Sequence, residues 1–276
     1  MLPARSSPPS PWPEAEIVRK IGAGGPGLVA LSGGVDSSVV AALAREALGH
    51  HSLAVTLAGP AVARSEVARA ERVARAIGIE HLVVDVDPIA RAEYRANPTN
   101  RCYFCRSIET EALRRVGEPR SVAQYLDGVQ LDDLHDDRPG IRAMDEAGFV
   151  HPLVGAGWTK IDVRAAARAR GLPNWDEPSD ACLASRVAHG EPISADLLHR
   201  IEVGEAAVRA RGFRRVRVRA HGGAARVEVG PDEVARLLSE PLASEVRATL
   251  ASLGFSPVRL DPDGYRAHSN ALPVVR

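Results

Sequence analysis

Lysine is almost missing from this chain: Lys20 and Lys160 are the only two, so arginine carries nearly all the positive charge. Schiff-base chemistry on lysine is therefore disfavoured, and phosphate recognition is expected to fall to arginine forks and backbone amides. Cysteine is scarce too, and its count of three is odd. That fits a disulfide framework poorly and a reducing cytoplasm well. Net charge is absent, 35 basic residues balancing 35 acidic ones, which removes the global electrostatic reason to expect a nucleic-acid partner. No apolar run reaches membrane-spanning length. The Ser/Pro-rich start lacks an apolar core, so residues 1–16 read as a disordered tail and not as a signal peptide. What remains is ample for a fold. In 276 residues, 45% of them hydrophobic, there is enough to bury a large core, divided between two domains.

The most informative stretch is 28–38, Leu-Val-Ala-Leu-Ser-Gly-Gly-Val-Asp-Ser-Ser, an apolar strand joined to a helix through a loop suited to phosphate. Gly33 and Gly34 let the backbone turn and bring successive N–H groups to one anion-sized hollow. Ser32 and Ser37 add hydroxyl donors, and Ser37 or Ser38 is expected to start the following helix, whose dipole favours a negative group. Asp36 is electrostatically misplaced beside a phosphate unless a divalent cation lies between, which points to Mg2+. A Walker A loop would need a lysine after its last glycine, and the dinucleotide fingerprint has a different spacing. The pattern S-G-G-x-D-S resembles the PP-loop of the ATP pyrophosphatases. That resemblance implies cleavage of ATP between its α and β phosphates, with transfer of AMP to a substrate oxygen.

Apolar runs at 28–31, 53–57, 81–86 and 122–126 alternate with helical patterns at 38–48, 65–77 and 106–116. The alternation predicts an α/β fold with a parallel sheet and ligands at the carboxyl ends of its strands. The phosphate loop lies at one such end and Asp127-Gly128 at another. After Gly190-Glu191-Pro192 the texture changes to a helix at 194–211, strands at 215–219 and 226–229, helices at 233–238 and 244–253, and a strand at 257–260. The expected division is a PP-loop domain over 17–192 and a smaller α+β domain over 193–276.

Cys102 and Cys105 stand three positions apart at a loop-to-helix start, between Arg101 and Arg106, which would stabilise thiolates. Cys182 lies far downstream. Three thiolates suit a [4Fe-4S] cluster with one open iron, whereas zinc would need a fourth ligand such as His135 or His189. A thioredoxin-type dithiol would not need Cys182, and inert buried thiols are the plainest alternative.

Taken together, these blocks resemble the LarE family of ATP-dependent sulfur transferases, over about residues 17–270. The blocks are the PP-loop, Arg101 to Cys105, Asp127-Gly128, the loop 137–140, Lys160 to Arg164, Ala181 to Arg186, and Val216 to Arg219 with His221. The resemblance implies adenylation of a carboxylate of pyridinium-3,5-biscarboxylic acid mononucleotide, release of pyrophosphate, and displacement of AMP by sulfur. The product is a thiocarboxylate for the nickel-pincer cofactor of lactate racemase. It also implies that ATP is held by Ser32, Gly33, Gly34, Asp36, Ser37, Ser38, Asp127 and Gly128. Ser185 and Arg186 would stand near the reacting carboxylate or the AMP phosphate, and Arg217 and Arg219 would hold the substrate phosphate. Family members with three cysteines hold a cluster carrying an extra sulfide; those with one sacrifice the sulfur of the position matching Cys182. Cys102, Cys105 and Cys182 place this chain with the first kind, a cytoplasmic homo-oligomer, by resemblance a hexamer, supplied by a separate sulfide source. The alternatives are a PP-loop tRNA thiolase, an ammonia-dependent amide ligase of the NAD or GMP synthetase kind, and a nucleotide-binding or sulfur-carrier protein without turnover. Trp158 and Trp175 read as packing residues, Ser185 and Arg186 equally as a helix-capping serine and a surface arginine, the Arg217/Arg219 pattern alternatively as a solvated basic face, and the acidic cluster 132–137 as a solvated loop.

Overall fold

The computed structural model describes residues 11–135, 139–178 and 181–266, except the side chain of His135. In chain order the elements are α1 (Glu14–Ala23), β1 (Gly27–Ala30), α2 (Val35–Leu48), β2 (Ser52–Ala58), α3 (Arg64–Ile77), β3 (Glu80–Asp85), α4 (Ala92–Arg95) and α5 (Arg101–Gly117). They continue as β4 (Gln124–Leu126), α6 (Pro139–Glu146), α7 (Pro152–Gly155), α8 (Lys160–Ala169), α9 (Ala195–Arg209), β5 (Val216–His221), β6 (Ala224–Val229), α10 (Val234–Leu237), α11 (Leu242–Ser252) and β7 (Val258–Leu260). The chain divides into two compact units, both discontinuous in sequence.

The first unit comprises residues up to 58, 64–86 and 102–179. Its sheet is wholly parallel, in the order β3-β2-β1-β4. The order reverses between β1 and β4, so the loops leaving these two strands open the crevice where such sheets bind ligands. Leu28, Val29, Ala54 and Val55 are fully enclosed, as expected of central strands with helices on both faces. The expected tail is shorter than 16 residues. The backbone of Trp12 pairs with Ala156, the Trp158 indole donates to the Trp12 carbonyl at 2.8 Å, and α1 buries Ile17 and Ile21 in the core.

The second unit takes residues 59–63, 87–101 and everything from 180. Its sheet has the order β5-β6-β7, with β5 and β6 antiparallel and β6 and β7 parallel. Val216, Val218, Val227 and Val229 are buried together with Leu198, Ile201 and Leu250 of α9 and α11. The segments 87–101 and 180–193 are laced to one another: Gly190 N–H donates to the Asn97 carbonyl and Ile193 N–H to that of Arg95, both at 2.9 Å. This pairing puts 180–192 in the second unit, whereas the expected boundary lay at 192.

Candidate active site

The phosphate loop leaves β1 at a point fixed from the neighbouring strand: Thr56 donates its hydroxyl to the Leu31 carbonyl at 2.6 Å. The same oxygen therefore accepts from His81 Nε2, 2.7 Å away, and burial foremost lowers the pKa of His81. Gly33 has φ +80°, and a Cβ there would lie 2.8 Å from the Glu66 carbonyl oxygen, so conformation and space both demand glycine. Gly34, extended at φ −73°, is the N-cap of α2.

Helix α2 therefore starts at Val35, three residues earlier than the capping reading of Ser37 and Ser38. Both hydroxyls turn back and donate to the Gly34 carbonyl, at 3.1 and 2.8 Å, and Ser37 Oγ also meets Ser32 Oγ at 3.1 Å. The N-cap Gly34 offers no side chain to α2, whose first N–H groups lack an i−4 carbonyl partner within the helix. Asn174, missed in the sequence, is buried and donates to both the Gly33 carbonyl and Ser38 Oγ, at 2.8 and 2.9 Å.

Asp36 carries the site's main electrostatic tension. Burial raises its pKa, and Lys160 opposes the shift with an ammonium 2.5 Å from Oδ2. Its other oxygen, Oδ1, is buried without a hydrogen-bond partner among the described residues. An unsatisfied anionic acceptor at a helix start fits a divalent cation well. One of the two lysines therefore stands beside the phosphate loop, where the sequence pointed to arginine and backbone.

From β4, Gly128 presses on the start of α2, where any Cβ would collide with the Ser37 amide. The preceding Asp127 accepts the Val129 N–H at 3.0 Å and pairs with His151 Nδ1 at 2.7 Å. His151 Nε2 reaches Asp145 at 3.0 Å. Burial opposes protonation of His151, yet the two carboxylates outweigh it and raise the pKa above the ordinary histidine value. The only signal in the sequence for this residue was a histidine following an apolar run.

Cys102 and Cys105 occupy the first turn of α5, the first exposed and the second partly so. Cys105 donates to Glu109 Oε1 at 3.2 Å, and Glu109 also takes Arg106 at 2.5 Å. Arg101 does not serve the thiols: it is buried, bonded to the Asn97 side chain and, at 3.0 Å, to the Ala184 carbonyl. Gly140, at the start of α6, packs on Cys102, giving that Pro-Gly block a steric role; residues 137 and 138 lie outside the described residues. Cys182, in the second unit, precedes the short helical turn Leu183–Arg186. Among the described residues, no group of three or more His, Cys, Asp or Glu side chains is placed to hold a metal ion.

Arg186 is neither a surface residue nor an open anion receptor. Its guanidinium is buried against Glu205, at 2.8 and 3.1 Å, and also donates to the Cys182 carbonyl and Ser185 Oγ. Arg217 and Arg219 share one side of β5 as expected, but both are buried and not a solvated face. Arg219 pairs with Glu228 at 2.8 Å, Arg226 joins the same carboxylate, and Arg217 lies opposite Glu228 in the ladder and over the ring of Tyr265. In the acidic loop, Asp132 accepts the Lys160 N–H and Asp133 that of Gln130; Asp136 and Asp137 lie outside the described residues. Trp158 is buried as a packing residue, while Trp175 is 37% exposed beneath Arg168.

The family model described as NAD synthase matches residues 15–114. Over 240 residues, the chain is 38% identical to an uncharacterized protein of Synechocystis, covering 87% of this chain and 90% of that one. It is 30% identical to the pyridinium-3,5-bisthiocarboxylic acid mononucleotide synthase of Lactiplantibacillus plantarum, covering 87% and 86%. The chain belongs to this, the LarE, family. LarE-family membership makes it a PP-loop enzyme of ATP-dependent sulfur transfer, and the loop after β1 is the part of the fold that carries the PP-loop. Similarity to the tRNA-specific 2-thiouridylase of Rhodospirillum rubrum is narrower, 30% over 58% of this chain and 53% of that one. The thiolase alternative is the weaker for it.

Proposed function

We propose that the chain adenylates carboxylates of pyridinium-3,5-biscarboxylic acid mononucleotide and converts them to thiocarboxylates. The observation that carries the reading is the uncapped start of α2 with the partly buried, half-satisfied Asp36 beside it. The amides at the start of α2 would receive phosphate oxygens, and Asp36 Oδ1 would hold the magnesium that accompanies them. The substrate carboxylate oxygen attacks the α-phosphorus of ATP, the α–β bridge breaks, and pyrophosphate leaves. A sulfur anion then adds to the acyl carbon and AMP departs, carrying the former carboxylate oxygen. Adenylation is needed because an anionic sulfur does not displace oxide from a carboxylate, whereas AMP is a good leaving group once its charge is neutralised.

The donor chemistry of Cys102, Cys105 and Cys182 suits a [4Fe-4S] cluster, and the first two, exposed and partly exposed, lie one helical turn apart as sulfur donors. When bound, the cluster supplies an iron with an open position for the sulfide to be transferred. The three free thiols also support a reducing, cytoplasmic setting. Arg217 and Arg219 would hold the mononucleotide phosphate, their side of the sheet carrying Arg226 as a third cation against Glu228 and Asp261. A homo-oligomer is part of the same reading.

The test is the nucleotide product. With substrate, magnesium and sulfide, ATP should give AMP and pyrophosphate, and Asp36→Asn should lose at least a hundredfold in rate. ADP and orthophosphate would reject the assignment.

A further inference from the structure

Asn174 gives both hydrogens of its amide to the phosphate loop, from the buried side. The residue is 1% exposed, and its Nδ2 donates to the Gly33 carbonyl at 2.8 Å and to Ser38 Oγ at 2.9 Å. Ser38 passes its own hydroxyl proton to the Gly34 carbonyl at 2.8 Å, so a lone pair of Ser38 receives Asn174 and the donor sense of the chain is fixed. A flipped amide would set Oδ1 against the Gly33 oxygen. The backbone carrying Asn174 is anchored, with Leu172 in the core and Arg164 of α8 donating to the Trp175 and Glu177 carbonyls at 3.0 and 2.8 Å. Asn174 Oδ1, by contrast, is buried without a hydrogen-bond partner among the described residues. An unmet buried acceptor costs stability, so what the residue contributes lies in its two N–H bonds.

We infer that Asn174 is a positioning residue that sets the direction of the Gly33–Gly34 peptide, so that the Gly34 N–H faces the anion. The inference rests on the ATP-binding reading above and adds a residue to it. A trans peptide points its C=O and its N–H in opposite directions. With the Gly33 oxygen held on the buried side, the Gly34 N–H is turned to the exposed side, where its hydrogen bond to Ser32 Oγ is long, 3.3 Å. The next carbonyl is held in the same way. The Gly34 oxygen accepts from Ser37 Oγ, from the Ser38 N–H and from Ser38 Oγ, the last being the hydroxyl that Asn174 orients. Two adjacent glycines have no Cβ to resist rotation of the peptide between them. Without the Asn174 donor that peptide can turn over, placing a carbonyl oxygen where a phosphate oxygen should bind.

Calorimetric titration of inorganic pyrophosphate, with magnesium, into the full-length protein tests this, alongside thermal melts without ligand. Asn174→Leu keeps the branching of the side chain, removes both donors and removes the unmet Oδ1. Its pyrophosphate affinity should fall about tenfold or more while its melting temperature changes little. Leu153→Ala, in the core of the same unit, takes no part in the loop's hydrogen bonds and should do the converse, melting lower with affinity kept. Ser38→Ala removes the second recipient alone and should lose less affinity than Asn174→Leu. If Asn174→Leu binds pyrophosphate as wild type does, or if it and Leu153→Ala lose affinity alike in step with melting temperature, Asn174 is merely structural and the inference fails while the phosphate-loop reading stands. Should Asn174→Leu not melt cooperatively, Ser38→Ala decides: a loss of affinity upholds the inference, and wild-type affinity overturns it. If the wild type binds no pyrophosphate, the phosphate-loop reading fails and the inference with it.

Discussion

Gly128 lies so close to Ser37 that a methyl group on it would overlap the Ser37 amide nitrogen. The two residues join the loops after β4 and β1, the strands between which the sheet order reverses, so the floor of the crevice is backbone packed on backbone. Gly128→Ala must push the start of α2 away from β4. Overpacking of this kind costs about 1–3 kcal/mol. ATP affinity should fall more than tenfold in isothermal titration, although no side chain that touches nucleotide has been changed.

His151, between Asp127 and Asp145, makes stability depend on pH with a definite sign. Its folded-state pKa is raised, so its contribution is complete below the unfolded histidine value, about 6.5, and is lost as pH climbs through the folded one. His151→Gln should therefore be most destabilising near pH 5.5, by about 1.5–3 kcal/mol for hydrogen bonds to charged groups. The gap to wild type should narrow by pH 9. Urea melts at the two pH values check this, and a gap that widens with pH would contradict it.

Arg186 and Glu205 are both nearly inaccessible, and Glu205 also takes Arg209 at 2.9 Å and the Val218 N–H at 3.1 Å. Removing one partner of a buried pair costs about 3–5 kcal/mol, because it strands the other charge. Arg186→Ala should thus lower the melting temperature of the second unit and disorder the 181–186 turn that carries Cys182. Activity lost in this variant is to be read with its stability, and a variant as stable as wild type would contradict the structural weight given to the Arg186–Glu205 pair.

The cysteines divide the sulfur chemistry into two measurable outcomes. Anaerobically prepared protein should contain iron and sulfide, and Cys102→Ala and Cys105→Ala should each abolish the chromophore and sulfur transfer while leaving adenylation intact. Mass spectrometry after turnover should find Cys182 unchanged. Loss of hydrogen sulfide from Cys182, with full activity in the Cys102→Ala, Cys105→Ala double variant, would show a sacrificial cysteine instead.

Much of the first unit is legible in the sequence because each of its strands is a short apolar run and each long helix carries its own periodicity. The Gly33-Gly34 turn announces itself for the same reason: its conformational need is local. What escapes is whatever depends on a distant partner. Asp36 and Lys160 are separated by 124 positions, and only the fold brings them together. For Arg217 and Arg219 the sequence shows only a shared strand face, and the β5–β6 register adds Glu228 and Arg226 across from them. Arg101 flanks a cysteine in sequence, yet its guanidinium is held by Asn97 and Ala184. The early start of α2 is missed because Ser37 and Ser38 have cap chemistry, whereas Gly34 has the cap's backbone.

The most direct test of sulfur transfer follows the substrate. Pyridinium-3,5-biscarboxylic acid mononucleotide, incubated anaerobically with the protein, Mg-ATP and isotopically labelled sulfide, should gain one sulfur for each oxygen lost. One AMP and one pyrophosphate should appear per exchange. ATP cleavage with no sulfur in the mononucleotide, while labelled sulfur appears in a tRNA or ammonia is incorporated as an amide, would contradict the assignment.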